Sequence, residues 1–203
     1  MDVNKMAIDI RAIDNFFSDD VFNYISDYCR KATYLYGEVD DNDESVGRYT
    51  DEYVIGMIHQ IFPIHFHEEN NPNVNLRKKI LDLIHRECLS QFRILNQFKL
   101  ERMYINCFTP GENPYFHVDR PEEVSQAYTC LYYANQKWDL NEGGETQFYA
   151  DNTIYGVPPV PNRMIIFDGD IQHRATSFRN YHRFTIALKY FKYDDVTDSE
   201  VAH

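Results

Sequence analysis

The chain is 203 residues long, with 43% hydrophobic and 26% charged residues, a balance that supports one domain with a sizeable core and excludes a mainly disordered state. Its 20 Lys and Arg against 32 Asp and Glu leave a net charge of −12, which repels phosphate backbones and anionic lipid surfaces and argues against nucleic acid or membrane partners. No apolar run reaches the ~18 residues of a membrane span, Met1-Asp2-Val3-Asn4-Lys5 has no signal-peptide character, and Cys29, Cys88, Cys107 and Cys130 show no C-x-x-C spacing, so a cytoplasmic protein with free thiols is expected.

Residues 1–97 read as mainly helical support. Ser18-Asp19-Asp20 offers an N-cap and an acidic first turn before Val21, Phe22, Ile25 and Cys29 at helical spacing, and this helix should end near Lys31. The acidic 38–44 stretch that follows has no period and reads as a solvated loop or a lid. His65-Phe66-His67-Glu68 offers metal-ligand types, but without a strand-like frame or a distant third imidazole it reads as a polar loop or helix end. Beyond the Asn70-Asn71-Pro72-Asn73 breaker, Leu76, Ile80, Leu83, Ile84 and Cys88 share one apolar face and predict a second long helix. From Phe98 the texture changes to short β-branched and aromatic runs, with strands expected at 98–108, 115–120, 126–134, 145–150, 163–168 and 181–193. The class is therefore α+β, with residues 98–193 as a sandwich or barrel such as a jelly roll and 194–203 as an acidic tail.

The chemistry concentrates in the β half. His117 and Asp119 stand two apart in an extended segment, so their side chains share a face and can share a metal ion. With 8 His and 19 Asp, chance alone supplies about one His-x-Asp pair, so specificity must come from context. His173, after the apolar run 164–167 and the turn Asp168-Gly169-Asp170, offers a second imidazole. Two histidines and one carboxylate with open positions opposite form the ligand set of non-haem Fe(II) oxygenases. Ten residues later Arg183 opens a strand with Arg183, Thr185, Ala187 and Lys189 on one face. A divalent metal, one aspartate and a dicarboxylate co-substrate leave one negative charge, which a buried guanidinium neutralises and grips bidentately.

These segments, with Arg120-Pro121, Thr129-Cys130-Leu131-Tyr132-Tyr133-Ala134-Asn135, Lys137-Trp138-Asp139 and Gly143-Gly144-Glu145-Thr146, resemble in order and spacing the Fe(II)/2-oxoglutarate-dependent dioxygenases, and within them the prolyl-4-hydroxylase branch that includes the oxygen-sensing prolyl hydroxylases. The resemblance implies a double-stranded β-helix (jelly-roll, cupin-like) core with flanking N-terminal helices. It implies Fe(II) on His117, Asp119 and His173, and the distal carboxylate of 2-oxoglutarate on Arg183 and Tyr133, with Thr185 and Tyr104 as further contacts. O2 would complete the reaction, giving succinate, CO2 and a hydroxylated product, with ascorbate as an accessory reductant. Two departures stand out. Phe108 precedes Thr109-Pro110-Gly111 where many relatives carry Tyr, so that Tyr104 on the same strand face is the candidate replacement, and Lys189 stands where the oxygen-sensing relatives carry Trp, a candidate substrate contact.

Each residue also has an ordinary reading: Arg183 as a structural ion-pair partner, Tyr133, Thr185 and Tyr104 as packing, and Lys189 as a solvated side chain. The expected substrate is a flexible, neutral-to-basic, proline-containing peptide or protein. The rival readings are a hydroxylase of another side chain or of a free amino acid, and a non-catalytic metal- or 2-oxoglutarate-binding module, because the ligand triad itself does not read the substrate.

Overall fold

Alternate residues of the long strands face opposite ways, and this alternation separates the interior of the domain from its helical backing. The computed structural model describes residues 9–36, 57–63, 73–112 and 114–194. In chain order the elements are β1 (Arg11–Ile13), α1 (Asp19–Lys31), β2 (Leu35–Tyr36), β3 (Met57–Phe62), α2 (Val74–Gln91), β4 (Lys99–Phe108), β5 (Gln126–Tyr133), β6 (Thr146–Ala150), β7 (Thr153–Val157), β8 (Met164–Asp168), β9 (Gln172–Ala175) and β10 (Arg183–Lys192), with short 3-10 turns at 93–97 and 140–142. A seven-stranded antiparallel sheet runs β1-β8-β5-β10-β4-β3-β2, and a three-stranded sheet runs β7-β6-β9. Two antiparallel sheets with helical backing are the α+β double-stranded β-helix expected from the β half.

On one face of the large sheet Met103, Ile105, Cys130, Tyr132, Ile186, Leu188 and Tyr190 pack against Ile25 and Cys29 of α1 and Ile80, Ile84 and Cys88 of α2. Fully burying each such aliphatic side chain contributes roughly 1.5–3 kcal/mol, so the helices act as a lid on the sheet's back. On the other face Tyr104, Leu131, Tyr133 and Ala187 join Phe148 of the small sheet and Ile165 and Phe167 of β8 in a second core inside the roll. The two clusters are the odd and even positions of the same strands.

Helix α1 begins after Ser18 and ends at Lys31, with Asp19 and Asp20 in its first turn and Arg30 and Lys31 in its last, an arrangement that suits the helix dipole. Helix α2 buries Val74, Arg77, Ile80, Ile84 and Cys88, while Leu76 stays 38% exposed. Its buried stripe therefore begins with Val74 and Arg77 in place of Leu76.

Three features differ from the sequence expectation. The N-terminal part is not only helical, because β1, β2 and β3 extend the large sheet at both edges. Residues 115–120 form no strand; only His117 makes an isolated bridge, and the amides of Asp119 and Arg120 instead donate to the carbonyl of Gly169. Pro114 and Pro121 bracket this segment and have no N–H for a ladder. Strand β6 was expected, but β7, which pairs with it, and β9 were not; the β6–β7 hairpin turns on Asp151 and Asn152, both at positive φ (48° and 57°), as a tight two-residue turn favours. The acidic 38–44 stretch, His65-Phe66-His67-Glu68 and all of the acidic tail but Asp194 lie outside the described residues.

Candidate active site

The backbone brings the two histidines together. His117 and His173, far apart in sequence, exchange both bridge hydrogen bonds, at 3.0 and 2.9 Å, so their rings project to the same side with centroids 4.5 Å apart. Asp119 is held two residues on by its amide, 2.8 Å from the Gly169 carbonyl. A side chain on Gly169 would meet the Cβ of Ala127 at 2.7 Å, so this close approach needs glycine. One ligand atom from each of His117, Asp119 and His173 lies within 4.8 Å of the other two.

The tautomers follow from second partners. Nδ1 of His117 is 3.1 Å from the Tyr115 carbonyl and Nδ1 of His173 is 2.9 Å from the Ile171 carbonyl. A carbonyl only accepts, so Nδ1 carries the proton on both rings and both Nε2 lone pairs face the cluster. The Nε2 atoms lie 3.7 and 3.2 Å from the oxygens of Asp119. Phe167 and Phe148 pack on the His173 ring at 4.7 and 6.0 Å, which fixes its plane. Two unprotonated imidazole Nε2 atoms and one carboxylate suit Fe(II), and the residues fit that ion.

Asp119 is deeply buried, its side chain 6% exposed. Burial alone would raise its carboxyl, but the Lys189 ammonium, together with any positive charge on the two imidazoles, outweighs burial and holds it well below the usual carboxylate range. Its Oδ2 accepts from the Thr129 hydroxyl at 2.6 Å and from the Lys189 ammonium. Lys189 itself is pushed down by burial and more strongly up by Asp119 and Tyr104, so its ammonium form is favoured.

Arg183, 1% exposed, is a further buried charged group. Its Nε donates to the Gly144 carbonyl at 2.8 Å, Nη2 to Thr146 Oγ1 at 3.0 Å and Nη1 to Thr185 Oγ1 at 3.5 Å. Tyr133 also donates to Thr146 Oγ1, at 2.7 Å. Among the described residues no carboxylate lies within ion-pair distance of this guanidinium, and of its five N–H donors two remain for another acceptor. Burial accordingly lowers Arg183 from its ordinary value against the opposing influence of Tyr133 and Glu145. A buried cation that meets only neutral groups has the chemistry to take up an anion.

Gly144 shapes the surroundings of that guanidinium. It sits at φ +84°, and a Cβ there would strike the Phe178 ring at 2.2 Å; its carbonyl can then face Arg183.

Register places the expected residues on one surface. Thr185 pairs with Tyr133, Ala187 with Leu131 and with Tyr104, and Lys189 with Thr129. The face read from the sequence as Arg183, Thr185, Ala187 and Lys189 is therefore the interior face, spanning roughly 20 Å at about 3.3 Å per residue. Tyr104 lies beside Lys189, its ring centroid 5.9 Å from Nζ, and Phe108 lies 5.9 Å from the Arg183 guanidinium. Lys189 is not solvated but 7% exposed. Thr129, Thr146 and Phe148 were missed as site residues. Thr129 was legible in principle, two and four residues before Leu131 and Tyr133 on one strand face, whereas Thr146 meets Arg183 only through the pairing of the sheets.

Comparison with known proteins agrees with this fold. The model of the 2OG-Fe(II) oxygenase superfamily matches residues 103–191. The chain is 23% identical over 146 residues to prolyl hydroxylase EGLN3 of Mus musculus, covering 70% of this chain and 61% of that relative's length. A prolyl-4-hydroxylase from Pseudomonas putida superposes with a TM-score of 0.61 at 16% identity, covering 93% of this chain and 95% of the other. A prolyl hydroxylase from Trichoplax adhaerens, solved with a hypoxia-inducible factor peptide fragment, superposes at 0.62 with 20% identity, covering 91% and 84%. Both histidines, the aspartate and the buried arginine fall inside residues 103–191, the stretch that matches the 2OG-Fe(II) oxygenase superfamily.

Proposed function

We propose that the chain is an Fe(II)- and 2-oxoglutarate-dependent dioxygenase that hydroxylates proline within a peptide or protein. The observation that carries this reading is the pairing, inside one roll, of two imidazoles and a carboxylate, whose ligand atoms cluster, with a buried guanidinium that has two N–H groups left for another acceptor. His117, Asp119 and His173 would hold the metal, which supplies O2 activation coupled to decarboxylation of the co-substrate. Arg183 would receive the far carboxylate of 2-oxoglutarate bidentately, with Tyr133, Thr146 and Thr185 holding the guanidinium and lining its seat. The Tyr133 hydroxyl, raised by burial despite the nearby guanidinium, stays protonated as a donor. The rings of Phe148 and Phe167 keep water from the back of His173, which strengthens electrostatic interactions there. Tyr104 completes the wall beside Lys189.

Proline as the target is supported by the relatives' own activity, because the ligand set does not read the substrate. The net charge of −12 favours neutral or basic flanks around that proline. Four buried free thiols suit a reducing compartment such as the cytoplasm, and ascorbate is the reductant to test. The deciding experiment supplies Fe(II), 2-oxoglutarate and O2 with a peptide library, and reads succinate together with product mass raised by one oxygen. Succinate formed with proline peptides and not with free proline is the expected result; no succinate with any substrate would leave only a binding module.

A further inference from the structure

Lys189 is the only lysine among the described residues that is buried. Its ammonium lies on Oδ2 of Asp119 and 3.3 Å from Thr129 Oγ1, so one carboxylate is shared between the two imidazoles on one side and an ammonium on the other. We propose that Lys189 is a built-in competitor of the metal: it neutralises Asp119 when the metal is absent and so makes metal retention depend on the 2-oxoglutarate dianion. This rests on the metal and 2-oxoglutarate reading above.

The argument is electrostatic. Without the ammonium, the empty site would hold a buried carboxylate facing two neutral imidazoles and the Thr129 hydroxyl with no cation beside it, an expensive arrangement. Lys189 stabilises that empty state, and whatever stabilises the empty state weakens the metal by linkage. When a divalent ion binds, it shares Asp119 with a cation already in contact with the same carboxylate, and the two repel. A loaded site with Asp119, Arg183 and Lys189 carries three surplus positive charges, which a dianion reduces to one. The dianion thus gains more here than it would beside a neutral residue, and by reciprocity it returns the same factor to the metal. Thr129, donating to the same oxygen without charge, holds the carboxylate in place in either state.

The test uses Mn(II), a redox-inert probe, titrated calorimetrically into the full chain with and without 2-oxoglutarate, for wild type, Lys189→Met and Lys189→Gln. Both variants should bind Mn(II) alone roughly tenfold more tightly, and the ratio of Mn(II) Kd without to with 2-oxoglutarate should shrink by a similar factor, within the usual range of coupling between sites. Gln keeps an N–H for Oδ2 but removes the charge, so it separates competition from positioning. A Met variant that folds only on adding Mn(II) also supports the proposal, because its empty site then lacks a needed cation; if it folds under neither condition, the Gln variant decides. Unchanged or weaker Mn(II) binding in the Gln variant overturns it. Failure of wild type to bind Mn(II) even with 2-oxoglutarate would instead overturn the metal-site reading, whereas intact binding of both ligands with no shift in either variant overturns only the role of Lys189.

Discussion

Replacing Arg183 with Met separates a ligand-binding role from a structural one. The substitution removes a buried cation whose contacts are a carbonyl and two hydroxyls, not a counter-ion. The folded chain therefore loses three neutral-acceptor hydrogen bonds, one of them long, and is freed of the desolvation of an unpaired guanidinium; these oppose each other, so stability should change by no more than ~2 kcal/mol. At roughly 2–4 °C per kcal/mol for a chain of this size, Tm should move by less than about 8 °C. The 2-oxoglutarate complex loses much more. Truncating one partner of a buried, hydrogen-bonded charge pair costs about 2–5 kcal/mol, or roughly 30- to 4,000-fold in Kd at about 1.4 kcal/mol per tenfold. The assay is calorimetric titration of 2-oxoglutarate into the Mn(II)-loaded protein, with thermal melts in parallel. An unchanged Kd, or a collapse of Tm with any remaining folded fraction binding normally, would refute the anion-seat argument and make Arg183 structural.

Asp119→Ala should abolish detectable Mn(II) binding in calorimetry, since it removes the single anionic ligand and leaves Lys189 buried without its carboxylate; retained binding would move the metal elsewhere. Gly144→Ala should cost at least ~2 kcal/mol in denaturant unfolding, because it combines a φ of +84° with a contact at 2.2 Å to Phe178, and a neutral result would mean that the Phe178 ring moves freely. His85 is held below its ordinary value by burial, against the opposing pull of Asp82, and its Nδ1 lies 2.8 Å from the Tyr190 hydroxyl. The unfolded chain therefore takes up this proton at a higher pH than the folded one, so stability should fall as pH drops below about 6.5 toward the lowered folded value. His85→Gln should flatten that part of the stability profile, and an unaltered slope would assign it to other groups.

Much of the site was legible because it follows from local rules. Strand alternation alone puts Arg183, Thr185, Ala187 and Lys189 on one face, and the spacing of His117 and Asp119 lets both reach one ion whether or not the segment is a regular strand. Helix α1 was legible from its flanking Ser18 and charged end turns, and the β half from its short β-branched runs. Long-range pairing was not legible. Residues 115–120 look extended, yet prolines at both ends and the turn at Gly169 leave only one bridge to His173, and that bridge is what sets the two imidazoles side by side. The edge strands β1 and β2 are too short for a period to show, and they, like β3 beside β4, are placed by the partners the large sheet offers. Lys189 makes the same point at the level of one side chain. A lysine's sequence neighbours cannot tell whether its ammonium reaches water or a carboxylate seventy positions away; the pairing of β10 with β5 sets it beside Thr129 and Asp119. Residue type and period thus determined which groups are available, and the non-local sheet register decided which of them meet, because its stabilisation comes from partners that no local window contains.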